Sequence, residues 1–240
     1  MPPMRAFRPE TGVTPNMPSH SKLRFRRERV AGAAWRLAIA GLFLLPLAAA
    51  AQEDTLPPPE GWLARTDHGG DGVEALQAMP PGWHVTTGPA GIFYDPETRA
   101  DGDFRVESTV FLFDPEGRNE GFGVFIGGAD LEGDGQAYTY LLIRADGSVI
   151  VKRRDGGETS TLLDWTKHEA VVTWAARGEG AATAKNVLFV EAAGEDVIFG
   201  VNEQEVFRTA RTGQHVDGVV GLRVNHGLNL HFSSLEVTDG

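Results

Sequence analysis

Aromatic and basic side chains crowd one short stretch of this chain. Tyr138, Tyr140, Arg144, Lys152 and Arg154 follow closely on one another, with Gln136 just ahead of them. Sugars present apolar C–H faces and hydroxyl groups. A tyrosine ring packs against the first, and Arg, Lys and Gln hydrogen-bond the second, so these six residues form a candidate glycan platform. The same set also reads as plain sheet support. A cross-strand ladder of Tyr with Lys or Arg stabilises a sheet by stem packing and cation–π contact, about 0.5–1 kcal/mol per pair. Residue types alone leave both uses open.

A second constellation is acidic. Asp130, Glu132 and Asp134 alternate in the glycine-rich loop ADLEGDGQ. Calcium is a hard ion that takes about six to eight oxygen ligands, and alternate carboxylates in a tight loop supply several. Counted from Asp130, the twelfth position is Leu141 instead of the glutamate an EF-hand requires. The loop reads either as a calcium site of another kind or as an acidic turn.

Other chemistry is poorly represented. A retaining glycosidase needs two carboxyl groups about 5–5.5 Å apart. The nearest candidates, Glu191 with Glu195 and Glu203 with Glu205, flank turns and read as solvated charge. The seven histidines show no zinc-binding spacing: His226 and His231 fall on opposite faces of a regular strand, and His84 follows Trp83. Ser233 and Ser234 lack a nucleophile-elbow context, and neither a phosphate loop nor a dinucleotide fingerprint occurs. No catalytic residue is assigned.

Composition narrows the setting. The 240 residues contain no cysteine, which excludes disulfides, thiolate metal sites and cysteine nucleophiles. Residues 1–51 carry eight Lys or Arg against two acidic residues, so +6. The remainder must then be −17 for a chain that is −11 overall. An acidic body repels phosphate backbones, so nucleic acid is not an expected partner.

The basic segment has an order of its own. Arg24, Arg26, Arg27 and Arg29 precede the apolar run LAIAGLFLLPL, which ends in AAAA before Gln52. A basic region, a short apolar region and small residues at Ala49 and Ala51 predict a secretory signal cleaved after Ala51. The apolar stretch, about 15 residues, is short of the roughly 20 a spanning helix needs, so no membrane span is expected in the mature protein. The first residues are proline-rich and patternless, and Met17 is the expected translation start. Residues 1–51 are therefore read as an address with an N-terminal extension, 52–61 as a linker, and 62–238 as one folded domain.

The elements that must hold the candidate residues are strands. Short runs of β-branched and aromatic residues are expected at 83–86, 91–94, 104–113, 121–126, 138–144, 149–154, 168–175, 186–192, 196–201, 205–208, 218–224 and 228–237. Turns rich in Gly and Asp separate them. A single helical turn is expected at 73–78. In the hairpin between Tyr138 and Arg154, a two-residue Asp-Gly turn would shift the pairing and mix the faces, whereas Ala145-Asp146-Gly147 as a turn closed by a glycine bulge, with Gly147 at positive φ, separates polarity and is preferred. Arg144 then opposes Ser148. Leu141, Ile143, Val149 and Val151 share a core face, and the tyrosines share the other face with Arg144, Lys152 and Arg154. The tryptophans Trp62, Trp83, Trp165 and Trp174 are assigned to the core or its edges. This pattern predicts an all-β, antiparallel sandwich.

The segments GFGVFIGG, QAYTYLLIRADGSVIVKRRDG and DGVVGLRVNHGLNLHFSSLEV resemble the concanavalin A-like lectin/glucanase jelly roll. They are most similar in style to secreted bacterial domains of the 3-keto-disaccharide hydrolase type, related in turn to family 16 glycoside hydrolases. The resemblance implies a two-sheet jelly-roll β-sandwich with one sheet serving as a glycan surface. The acidic strand E-x-D-x-x-E or E-x-D-x-E of the family 16 glucanases has no counterpart here. The expected function is a secreted, non-catalytic glycan-binding or surface-interaction domain, with a poly- or oligosaccharide as partner. The alternatives are a hydrolase or lyase acting on a (3-keto-)disaccharide or glucan, and an envelope protein–protein interaction module.

Overall fold

The computed structural model describes residues 59–67 and 73–240. The expected signal, its cleavage point and most of the expected linker lie outside the described residues. In chain order the strands are β1 (Leu63–Thr66), β2 (Val73–Ala78), β3 (Trp83–Thr87), β4 (Gly91–Ala100), β5 (Phe104–Leu112), β6 (Phe122–Ala129), β7 (Ala137–Ile143) and β8 (Ser148–Asp155). They continue as β9 (Glu158–Lys167), β10 (Ala184–Ala193), β11 (Asp196–Val201), β12 (Gln204–Ala210), β13 (Gly218–Val224), β14 (Asn229–Phe232) and β15 (Glu236–Asp239). A seven-stranded sheet has the order β1-β4-β13-β6-β7-β8-β9, and an eight-stranded sheet has the order β12-β11-β10-β5-β14-β3-β2, with β15 also paired to β5. All pairings are antiparallel, and the two sheets form the sandwich that the sequence predicts. No helix of the described residues is long and apolar enough to cross a membrane.

Alternation puts one side of each strand into the space between the sheets. In β5, Phe104, Val106, Ser108, Val110 and Leu112 are buried while their neighbours are only partly so. They meet Phe122, Val124 and Ile126 of β6, Leu141 and Ile143 of β7, and Val220, Leu222 and Val224 of β13 in one continuous core. Ser108 is the polar member of this row. Its hydroxyl donates to the Ser234 carbonyl at 2.7 Å, and the Thr109 amide donates to the Ser234 hydroxyl at 3.3 Å. These bonds mark the step at Ser233–Leu235 where the single strand expected at 228–237 divides into β14 and β15.

The candidate hairpin has the expected register. Tyr138 pairs with Arg154, Tyr140 with Lys152, Leu141 with Val151 and Ile143 with Val149. The Arg144 amide donates to Ser148 O (2.9 Å), and Gly147, at φ 90°, donates to Arg144 O (3.1 Å). Burial of Asp146 in this turn works against its charge. Hydrogen bonds from the Ser148 hydroxyl and amide, Asn119 and Lys167 more than offset it and bring the Asp146 pKa down to about 2.

Two expectations fail for physical reasons, and one strand has no signal in the sequence. The segment 73–78 is strand β2, not a helical turn, because pairing to β3 satisfies its backbone and overrides the helix preference of VEALQA. The strand expected at 168–175 is a bend leading into a 3-10 turn at Trp174–Ala176. Its backbone is satisfied by side chains: Asn186 bonds both the amide and carbonyl of Val172, and Asn202 donates to Ala170 O. The edge strand β9 shows no alternation in sequence, because irregular pairing to β8 breaks its period, so that Leu162 and Leu163 both pack against the core.

Gly147 carries a local test. A Cβ there would lie 3.0 Å from Thr173 Cγ2, on a backbone that L-residues rarely adopt. Gly147→Ala is expected to destabilise the protein by about 1–3 kcal/mol in urea unfolding. An unchanged midpoint would show that the turn does not need its glycine.

Candidate functional site

The seven-stranded sheet is buried on its second face as well. Ile92 and Tyr94 of β4, Phe125 of β6, Tyr138, Tyr140 and Leu142 of β7, Ile150 of β8 and Val219 of β13 form a cluster separate from the main core, with Trp165 of β9 packed against it. These positions alternate with the core residues of the same strands, so they lie on the outer face. Glycine makes room for the flat rings. A Cβ at Gly221 would stand 2.5 Å from Phe125 Cε1, and one at Gly121 would stand 3.1 Å from Trp165 Cη2.

Charged groups lie within this aromatic layer. Strand β1 pairs with β4 so that Arg65 stands opposite Ile92, and the chain then places Asp67 beside β13. Both Asp67 oxygens accept from Arg223, each at 2.6 Å, and Arg154 approaches the same carboxylate at 3.5 Å. Arg223 also donates to the Tyr138 hydroxyl at 3.1 Å, and its guanidinium lies 5.4 Å from the Tyr140 ring centre. Burial opposes the Arg223 charge, but the Asp67 hydrogen bonds and the neighbouring phenols outweigh it and raise the Arg223 pKa. Burial also raises both phenols, Tyr140 to about 12 in spite of Arg223.

A cavity of about 290 Å³ opens on this face. Tyr140, Leu142, Ile150 and Trp165 give it an apolar lining, while Arg144, Lys152, Arg154, Arg223, Asn225 and Asp67 contribute polar groups. The Arg144 guanidinium lies 3.5 Å from the Trp165 ring centre, so the indole carries it. The Nε atoms of Arg144 and Arg223 and the Oδ1 of Asn225 are buried and have no hydrogen-bond partner among the described residues. His226 stands at the edge, 3.8 Å from Glu120. A second depression of about 400 Å³ adjoins the first. Asp67 and Arg154 line both, and Gln136, Asp134 and Arg65 line the second.

The structure therefore gathers Tyr140, Arg144, Lys152 and Arg154 around one cavity and Gln136 around its neighbour. Tyr138 is not offered to a ligand. It is fully buried, its hydroxyl is bonded by Arg223, and its ring lies against Phe125 and Tyr140. Tyr140 is only 5 % exposed, so the expected stack of two open tyrosine rings gives way to a basic cavity with an aromatic lining. Sequence reasoning missed Asp67, Arg223 and Asn225, and it assigned Trp165 to the core or its edges with no part in the cavity that it lines. A signal existed for Arg223, a lone cation inside the apolar strand GVVGLRV. None existed for Asp67, which follows a short strand that has no internal pattern.

The acidic loop is dispersed. Asp130 is exposed, and its carboxylate folds back over its own loop, accepting from the Gly135 amide at 3.0 Å and lying against Gly133. Asp134 lines the second depression and Glu132 lies by Tyr94. Arg65 already places a cation on the loop carbonyls, donating to Leu131 O (2.7 Å) and Gly133 O (2.5 Å). Among the described residues no three His, Asp or Glu side chains form a group able to hold a metal ion. The expected calcium ligands Asp130, Glu132 and Asp134 are thus not brought into one group: Asp130 and Glu132 line one depression with Tyr94, and Asp134 lines another. Glu191 of β10 and Glu203 of the β11–β12 turn instead face Arg105, and Glu205 bonds Arg208 on β12.

No protein-family model and no curated protein matches the sequence. Solved structures do share the fold. The carbohydrate-binding module CBM66 from Bacillus subtilis superposes with a TM-score of 0.53 at 15 % identity, covering 75 % of this chain and 96 % of that one. A Bacillus subtilis protein of unknown function with a galectin-like fold gives 0.52 at 13 % identity, covering 74 % and 89 %. At these identities the likeness establishes the jelly-roll sandwich and nothing finer.

Two outcomes follow. Removing one partner of a buried ion pair costs about 3–5 kcal/mol. Asp67→Asn is expected to lose about 3 kcal/mol in urea unfolding, the low end, because the Asp67 side chain is 24 % exposed. A loss under about 1 kcal/mol would show that Arg223 does not depend on this carboxylate. On the other sheet His84 and His231 stand opposite each other. Burial, and then His231, lower the His84 pKa from 6.5, with Asn229 acting the other way. Below pH 6.5 the unfolded chain therefore binds more protons at this position than the folded one, and stability falls. The melting temperature should drop from about pH 8 to about pH 5, less steeply in His84→Gln. Parallel slopes would remove His84 as the cause.

Proposed function

We propose that this chain is an exported, non-catalytic glycan-binding β-sandwich whose ligand occupies the cavity on the outer face of the seven-stranded sheet. One observation carries the reading. An aromatic and aliphatic lining, formed by Tyr140, Leu142, Ile150 and Trp165, is ringed by hydrogen-bonding side chains that approach from five strands or their ends. Saccharides match this combination, because their C–H faces pack on apolar surface while their hydroxyls take up donors such as Arg144, Lys152 and Asn225. At about 290 Å³ the cavity lies near the lower end of ligand pockets, roughly 300–1,000 Å³, a size suited to one or two sugar units.

Two further points support the reading. Asp67 is the one carboxylate among the described residues lining the cavity, and it is held by Arg223. Glycoside hydrolysis needs a pair of carboxyl groups, so this cavity suits binding better than turnover. CBM66, a carbohydrate-binding module by name, shares the sandwich. Export rests on the basic and apolar leader ending at Ala51, and the exported protein should begin at Gln52.

A glycan array followed by titration calorimetry tests the proposal. At least one saccharide should bind, and Trp165→Ala, which removes both apolar lining and the support of Arg144, should weaken it by about tenfold or more. An array without a single binder, or an unchanged affinity in Trp165→Ala, would defeat it.

A further inference from the structure

We infer that the saccharide taken by this cavity is anionic, carrying a carboxylate or sulfate on the unit that enters between Arg144, Lys152 and Arg223. The inference rests on the glycan-binding reading and adds the charge of the ligand. Among the described residues four cationic side chains, Arg144, Lys152, Arg154 and Arg223, line the cavity against the single carboxylate of Asp67. These described residues sum to +3, in a protein whose net charge is −11. An acidic protein has carboxylates enough to neutralise such a cluster, and elsewhere it uses them. Arg105 meets Glu107, Glu191 and Glu203, and Arg208 meets Glu205 and Asp196. Around the cavity the pattern is reversed.

Asp67 is already committed. Its two oxygens bond Arg223 at 2.6 Å, and Arg154 shares it at 3.5 Å. Arg144 and Lys152 have neither an ion pair nor a side-chain hydrogen bond among the described residues, and Arg144 is held over Trp165. Like charges held together on a partly buried apolar surface repel, and an anion bound among them relieves that repulsion. The unpartnered Nε atoms of Arg144 and Arg223 point the same way. A buried N–H without an acceptor is costly, and an oxyanion brings acceptors that a small side-chain rotation would reach. A neutral sugar would leave the charge excess uncompensated.

Matched pairs of glycans separate the two proposals. The probes are oligogalacturonate and its fully methyl-esterified form, glucuronate-substituted and unsubstituted xylan oligomers, a sulfated oligosaccharide, and single-stranded DNA as a sugar-independent polyanion. An acidic member should bind at least about tenfold more tightly than its neutral partner, and its affinity should fall as NaCl rises from about 50 mM to about 300 mM. Arg144→Gln and Lys152→Gln should each weaken it by about tenfold. Arg208→Gln, which removes a positive charge from the eight-stranded sheet, should not. Binding by the uronate arms alone identifies a carboxylate, and binding by the sulfated arm alone identifies a sulfate. Equal binding of neutral and acidic partners overturns the charge inference and leaves glycan binding standing. Equal binding of DNA through Arg144 and Lys152 overturns it in favour of an unselective polyanion site. No binding to any glycan overturns both proposals.

Discussion

The seven-stranded sheet is covered on both faces, and the two-residue period of its strands divides every segment between two different interiors. Leu141, Ile143, Val149 and Val151 go to the aliphatic space between the sheets, while Tyr138, Tyr140, Leu142 and Ile150 go to the aromatic layer outside. A slip of one residue in this hairpin would send lysine and arginine into the sandwich core and valine to the outer face. The turn at Asp146 and Gly147 holds that register. The whole distribution of chemistry over the molecule thus depends on it, including which side chains border the cavity.

The outer layer imposes a second constraint, because it buries charge. Arg223 is surrounded by phenols and needs the carboxylate of Asp67 at hydrogen-bonding distance. That carboxylate comes from the far end of the domain in sequence, delivered by the short strand β1 against β4. The ion pair fastens this edge to the middle of the sheet and at the same time consumes the negative charge that would neutralise the cavity. Structural support and binding chemistry are therefore two results of one arrangement. Tyr138 belongs to the first, while Tyr140 serves both, packing in the layer beneath Arg223 and lining the cavity. Arg144 on Trp165 and Lys152 on β8 belong to the second.

Side-chain amides do comparable work for the segment that packs beside the Ala145–Gly147 turn. Asn186 and Asn202 bond each other and the backbone of the segment before the 3-10 turn, replacing the strand partner that this segment lacks. A loop can then run beside the core without leaving its amides unsatisfied, and Ala170 and Val171 contribute to the core although they belong to no strand.

What the chain determined by itself was everything that depends on neighbours close in sequence. Alternation marked most strands of the sandwich, and Asp146-Gly147 set the hairpin register because a positive φ belongs at that glycine. The same register placed Arg144, Lys152 and Arg154 on one face with the tyrosines. Tertiary structure decided what depends on distant partners. Strands β1 and β2 exist because β4 and β3 offer them hydrogen bonds, and β9 because β8 tolerates its bulges. Tyr138 is closed off by Arg223, which lies 85 residues away. The acidic loop points its carbonyls at Arg65, from a strand with no local signature. Asp67 was silent for the same reason: the free energy that places it comes from a buried cation on another strand, and local pattern carries no record of such a partner.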